Sequence, residues 1–331
     1  MDKRTRVFNA MDKKPVDYVP VGFWKHFFDK GVVGQPCIDA HIEYYKQADL
    51  DFLKVMSDGY FAFPTADGKQ LRSAADLRSI RPVEADDPWI RAQVERVQAL
   101  VEAFGKERCV FYNVFTPFTT LKCCFEGDSL DASDAVFMKA VREDTDAVLG
   151  ALDIVAQGNA LLAECIIKES GADGIYFPVS NAEHDRFTEQ EYRRIIGPSE
   201  LYVLEHINRW SDYNILHCCG FAGTRNRISL WYDYPAKCVN WAVHVDDLSL
   251  SDGRVLFGGK SVLGGFDTHW GDDENEMRGI LYHGSKEELQ SYTKELILNA
   301  GKLGLLLGGD CTTDHRIDPQ RLNWIIEAAR S

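Results

Sequence analysis

The sequence predicts an α/β fold: a single (β/α)8 TIM barrel, one domain over residues 1–331. Three observations predict it. Eight short apolar runs, most rich in β-branched or aromatic residues, recur along the chain. Stretches with helical periodicity separate most of them, as a parallel sheet requires. No composition break or linker divides the 331 residues. A doubly wound open sheet shows the same alternation and is the rival. However, Gly258-Gly259 and Gly264-Gly265 do not form a Gly-x-Gly-x-x-Gly turn before a helix, so a dinucleotide-binding arrangement gains no support.

In order, Lys3 to Met11 reads as a short helix, and Pro15 and Pro20 bracket a turn. Tyr18 to Trp24 is the first strand, residues 37–48 a helix, and Asp51 to Met56 a second strand ending in Ser57-Asp58-Gly59. Residues 61–86 are loop-rich. Pro88 to Phe104 sets charges against Ile, Val and Leu at helical spacing, and Cys109 to Phe115 is the third strand. Residues 135–170 hold two helices, the second closing at Gly171, and Gly174 to Pro178 is strand four. Residues 189–210 return to helix. Strand five is Asn214-Ile215-Leu216-His217-Cys218-Cys219-Gly220, strand six runs from Cys238 to Val243, and strand seven from Ser261 to Asp267. Ser285 caps a helix reaching Lys302, with Glu288 in the capping-box position. Leu303 to Gly309 is strand eight and Pro319 to Arg330 the closing helix.

Barrel active sites sit at the strands' C-terminal ends. There the sequence places Asp58, Ser180 with Asn181, His217 with Cys219, Asp267 with His269, and Asp310 with Cys311. Strand five carries the sharpest signal. Alternation points His217 and Cys219 to one face and turns Cys218 into the wall. Imidazole and thiolate are ligands zinc prefers, and Cys311, at the end of strand eight, supplies a third. Three protein ligands leave one position open, as a catalytic zinc needs, and an acceptor thiol bound there would be held as thiolate. The bland readings are a hydrogen-bonded core histidine with packed cysteines, and for Asp58 an ordinary Asp-Gly turn. Cys123-Cys124 reads as packing, and His315 as a weaker extra ligand.

A net charge of −14 argues against a nucleic-acid surface, which needs clustered Lys and Arg. The composition, 45% hydrophobic and 27% charged, is that of a globular protein with a full core. The first fourteen residues lack the apolar segment of a signal peptide, and no 18-residue uninterrupted apolar stretch appears, so neither secretion nor a membrane span is expected. The nine cysteines then fit reduced thiols in the cytoplasm better than a disulfide framework.

The chain resembles the uroporphyrinogen decarboxylase superfamily over nearly its whole length. The resemblance rests on Arg6-x-x-x-Ala10 followed by Pro20-Val21, and on Phe52-Leu53-Lys54-Val55 with Ser57-Asp58-Gly59. It continues through Pro117-Phe118-Thr119-Thr120-Leu121 and Glu126-Gly127, the His217 element, and glycine-rich strands seven and eight. Decarboxylases of this superfamily carry an arginine-rich segment after the first strand; here Trp24-Lys25-His26-Phe27-Phe28-Asp29 has no arginine. Cys123 stands where they have tyrosine, and Gly309-Asp310-Cys311 where they have Gly-His-Gly. Of their catalytic elements only Asp58 is matched. The His-x-Cys and later Cys are similar to those of the cobalamin-dependent methyltransferase branch, which methylates coenzyme M from a methyl-corrinoid protein. That resemblance implies zinc on His217, Cys219 and Cys311 and a corrinoid protein as partner. Around that site the strand-end positions give Asp58 and Asp310 as candidate catalytic residues, Asp310 as a displaceable fourth ligand, and Lys54, Ser180, Asn181, Asp267 and His269 as candidate substrate contacts. Phe221 in place of Asn after Gly220 leaves the methyl acceptor open. A decarboxylase acting on a non-porphyrin acid is the alternative.

Overall fold

The computed structural model describes residues 1–127, 130–220, 223–269 and 277–331. Its strands are β1 (Val21–Gly22), β2 (Phe52–Val55), β3 (Cys109–Asn113), β4 (Gly174–Val179), β5 (Ile215–Cys218), β6 (Cys238–Trp241), β7 (Ser261–Phe266) and β8 (Leu305–Gly309). They form one eight-stranded sheet in the order β1-β8-β7-β6-β5-β4-β3-β2, every ladder parallel. The larger helices are α1 (Lys3–Met11), α2 (Gly34–Gln47), α3 (Pro88–Phe104), α4 (Pro117–Lys122), α5 (Leu130–Glu143), α6 (Thr145–Cys165), α7 (Glu189–Ile195), α8 (Gly197–Ile207), α9 (Val243–Asp246), α10 (Leu250–Leu256), α11 (Ile280–His283), α12 (Lys286–Ala300) and α13 (Pro319–Arg330). The (β/α)8 barrel is the observed fold.

Alternation sorts the strand residues into two cores. Phe52, Cys109, Phe111, Tyr176, Ile215, Cys238, Leu263 and Leu306 point inward, joined from one end by Val7, Ala10 and Met11 of α1. That helix closes the end opposite the site. The intervening residues, Leu216 and Cys218 among them, pack outward against the helices. Contact with the interior is close enough that a Cβ on Gly22 would lie 2.2 Å from the Phe52 ring, so only glycine fits there.

The first strand is much shorter than Tyr18 to Trp24. Pro20 has no N–H to give, and β1 closes against β2 through Asp51 rather than a ladder. The Asp51 N–H donates to the Val21 carbonyl (2.8 Å), and its carboxylate accepts the Val21 N–H (2.9 Å). Arg6 (2.7 Å) and the Tyr18 hydroxyl (3.1 Å) hold that buried carboxylate. Three other elements differ from the periodicity reading. The helix expected over 189–210 breaks at Ile196, where Gly197-Pro198 starts α8. Helix α6 runs into a π turn over Ile166–Ser170 before Gly171 ends it at φ +77°. The loop-rich passage holds a 3-10 turn, Ala74–Ser79, boxed by Ser73 and Asp76. The stretch Thr145–Ser170 is long and apolar enough to cross a membrane, yet 61% of its apolar window is buried inside the barrel's outer layer. Ser285 and Glu288 form the expected capping box on α12.

Candidate metal centre

Strand β5 carries the first ligands. Ile215 lies in the inner core, so His217, two residues on, faces the same interior near its C-terminal end, while Cys218 is buried in the outer layer. Just past the strand, the Cys219 N–H donates to the Val179 carbonyl (2.9 Å), which fixes that thiol beside β4. Cys311 follows β8, its N–H donating to Thr268 Oγ1 (2.9 Å). The ligand atoms of His217, Cys219 and Cys311 all lie within 4.8 Å of one another. Among the described residues no other group of three His, Cys, Asp or Glu comes together so closely.

The donor set fits a zinc ion. The two Sγ atoms are 3.9 Å apart, and thiolates at about 2.3 Å from a tetrahedral zinc stand roughly 3.8 Å apart. His217 is 2% exposed and its Nδ1 has no hydrogen-bond partner among the described residues. A buried nitrogen left unpaired is costly, and a ligated metal or its outer-shell partner would remove that cost. Cys311 is held well below the ordinary thiol range. The Cys219 thiol is the main cause, followed by the His217 ring and the Lys54 charge, together outweighing burial.

Beneath the thiols the interior is polar in an ordered way. The Lys54 side chain points inward from β2, 3% exposed, with Nζ 3.8 Å above the Tyr176 ring and 4.9 Å from that of Trp24. Burial lowers its pKa to about 7, against the opposing pull of Cys311, Cys219 and Asp58. The Tyr176 hydroxyl donates to Asn240 Oδ1 (2.5 Å), and Asn240 Nδ2 donates to the Leu263 (2.8 Å) and Gly309 (3.1 Å) carbonyls. Tyr176 is therefore clamped by β6, β7 and β8. Its ring also packs against the His217 imidazole, with centroids 5.4 Å apart.

Two carboxylate–imidazole pairs flank this centre. Asp58 Oδ1 is 2.6 Å from His26 Nδ1, and Oδ2 accepts the Phe27 N–H (2.9 Å). Burial opposes ionisation of Asp58, but the His26 ring and that N–H outweigh it and hold the carboxyl below the usual range. The His26 ring stacks on Phe28 at the barrel mouth. Asp310 is different from expectation. Its Oδ2 meets His244 Nδ1 (2.7 Å) and accepts the His244 N–H (3.1 Å), and its Oδ1 accepts the Gly265 N–H (3.0 Å). That last donor is presented by backbone at φ +106°, which glycine adopts without strain. Burial raises the pKa of Asp310 despite these donors. A carboxylate so engaged is turned toward β6 and β7, outside the three-ligand group. In this arrangement it fixes His244, whose Nε2 reaches the Tyr292 hydroxyl (3.2 Å).

A cavity of about 20 Å³ adjoins Cys311, and Asp267, Thr268, His269, Asp310 and Thr312 are among its lining. Of the expected substrate contacts, Asp267 and His269 thus stand beside Cys311, and Lys54 lies beneath it. Ser180 and Asn181 do not line that cavity. Ser180 Oγ pairs with Thr119 Oγ1 (3.3 Å) and accepts from Asn181 Nδ2 (2.8 Å), on the β3–β4 side. His315 is exposed and turned to Asp314, 3.6 Å away, outside the group. Cys124 packs as expected, its Sγ accepting the Phe63 N–H (3.2 Å). His26 and His244 escaped the sequence reading: each finds its carboxylate through a tertiary contact, 32 and 66 residues away in the chain.

A curated relative, the methylcobamide:CoM methyltransferase MtbA of Methanosarcina mazei, is 20% identical over 99% of this chain and 97% of its own length. Among solved structures, a methyltransferase from Methanosarcina mazei superposes with a TM-score of 0.75 at 17% identity, covering 99% of this chain and 98% of the other. A putative vitamin-B12 independent methionine synthase from Listeria monocytogenes follows the same fold more loosely, with a TM-score of 0.52 at 11% identity over 95% of this chain and 97% of the other. The family model of uroporphyrinogen decarboxylase (URO-D) matches residues 64–331, the greater part of the barrel and both halves of the thiol site. The chain belongs to the uroporphyrinogen decarboxylase family.

Proposed function

We propose that this protein is a zinc-dependent methyltransferase, moving a methyl group between a corrinoid carried by a separate protein and a small thiol. The observation that carries the reading is the convergence of His217, Cys219 and Cys311 from two strand ends 92 residues apart. When bound, zinc would supply the Lewis acidity that keeps an acceptor thiol ionised at neutral pH. The chain's own residues prepare that position. Lys54 stands below two thiols, where its protonated form offsets their repulsion of an incoming anion. Tyr176 and Asn240 hold His217 and Lys54 in place from beneath. Asp58 and His26 form a hydrogen-bonded pair at the mouth that can take or return a proton as substrate enters. MtbA, a relative named as a methylcobamide:CoM methyltransferase, supports the same chemistry.

Under this reading the whole chain works as one barrel domain, and the corrinoid protein docks over the strands' C-terminal ends. No disulfide joins the nine cysteines, in keeping with a reducing cytoplasm. The segment after β1 has no arginine to grip porphyrinogen carboxylates.

The test is metal analysis of wild type and Cys311→Ala, followed by methyl transfer from methylcobalamin to thiols. About one zinc per chain, lost with transfer in the variant, is the expected result. Stoichiometric zinc retained by Cys311→Ala would overturn the site. Transfer-free, metal-free wild type with decarboxylase activity dependent on Asp58 would favour the lyase alternative.

A further inference from the structure

The cavity beside Cys311 bears a charge that selects what enters it. Among the described residues it is lined by Asp267 and Asp310, with His269 and two threonines, and by no lysine or arginine. Asp310 is already engaged by His244 and the Gly265 N–H. Asp267 is not: its Oδ1 accepts the His269 N–H (2.9 Å), and no ion pair among the described residues includes it. Cations nearby are committed elsewhere or stand outside the lining. Arg316 pairs with Asp314, and Arg278 is exposed, its N–H on the His269 carbonyl.

We infer that the acceptor is a short thiol whose tail carries a positive charge, with Asp267 as its counter-ion and specificity-determining residue. The inference rests on the proposed thiol-binding site. The thiol end would take the open position beside Cys219 and Cys311, and the tail ammonium would turn toward the Asp267 carboxylate. A sulfonate tail there would meet an unpaired carboxylate across a partly desolvated gap, a repulsive arrangement that discriminates as effectively as the attractive one.

Three thiols of equal chain length test this by calorimetric titration of the zinc-loaded protein: cysteamine, 2-mercaptoethanol and 2-mercaptoethanesulfonate. Wild type should bind cysteamine about fivefold more tightly than mercaptoethanol, and the sulfonate more weakly again by a similar factor. In Asp267→Asn the cysteamine affinity should fall by about that factor, the sulfonate affinity rise, and mercaptoethanol stay unchanged. Comparing each probe with itself across the two proteins cancels the probes' own thiol acidities. Tightest binding of the sulfonate to wild type, or equal shifts for all three probes in the variant, would overturn the inference while leaving the thiol site standing. No binding of any thiol to protein that holds its zinc would overturn the proposed function, and this inference with it.

Discussion

Replacing Lys54 by methionine separates stability from function at this site. Methionine keeps the length and most of the volume of the side chain and removes the charge. The ammonium is almost fully buried and rests on the Tyr176 and Trp24 rings, with no hydrogen bond from Nζ to any described residue. Burial brings its pKa from 10.5 to about 7. At ~1.36 kcal/mol per pH unit, that drop corresponds to roughly 4–5 kcal/mol of folding free energy. The sign follows from proton counts. Between pH 7 and 10.5 the unfolded chain binds the Lys54 proton and the folded chain gives it up, so stability rises with pH across that window. Conversely, stability is lost as pH falls from 10.5 through 7. Metal-stripped Lys54→Met should therefore be more stable than wild type at pH 7, by about 3–4 kcal/mol, with the gap closing toward pH 10.5. Urea denaturation in the presence of a chelator, at several pH values, measures this directly. The same variant, loaded with zinc, should bind thiols at least tenfold more weakly, because the positive charge beneath the thiols is gone. A variant less stable than wild type at pH 7 would refute the reasoning, since Lys54 would then be supporting the fold. Unchanged thiol affinity would refute its electrostatic role.

Two further perturbations probe the surroundings. Asp58→Asn leaves only one oxygen for the Phe27 N–H and presents an amide where His26 expects a carboxylate. Methyl transfer should fall by about a hundredfold with zinc retained, and an unchanged rate would reduce Asp58 to a turn residue. Because the folded pKa of Asp58 is lowered, its stabilising contribution is present at neutral pH and lost as pH falls through that value, so the variant's melting temperature should depend less on acid. Glu200 is the opposite case: fully buried, accepting from the Tyr192 (3.0 and 3.1 Å) and Tyr234 (2.8 Å) hydroxyls, its pKa raised to about 8 by burial. A raised carboxyl pKa costs stability as pH rises from 4.5 to 8, the folded state holding a proton that the unfolded state releases. Glu200→Gln should accordingly be the more thermostable protein at pH 8 by a few kcal/mol, with little difference at pH 4.5. Thermal melts at the two pH values decide it.

Much of this protein was legible in its sequence because the relevant signals are local. Apolar runs ending in glycine or polar residues marked the eight strands, and a period of two assigned His217 and Cys219 inward and Cys218 outward. Capping chemistry is equally local, and the Ser285–Glu288 box formed where the residues stood. What the sequence could not decide were contacts between distant strand ends. Nothing near His26 announces Asp58, and nothing near Asp310 announces His244, so a carboxylate that read as a spare metal ligand is instead tied to a histidine and a glycine N–H. Burial brings Lys54 down to about 7, and the rings it rests on, Trp24 just past β1 and Tyr176 on β4, come from distant parts of the chain. Closure of the barrel itself fell to Asp51, whose carboxylate completes β1 where Pro20 leaves no N–H for a ladder. Local periodicity fixes which way a side chain points; only packing of the whole barrel fixes what it meets.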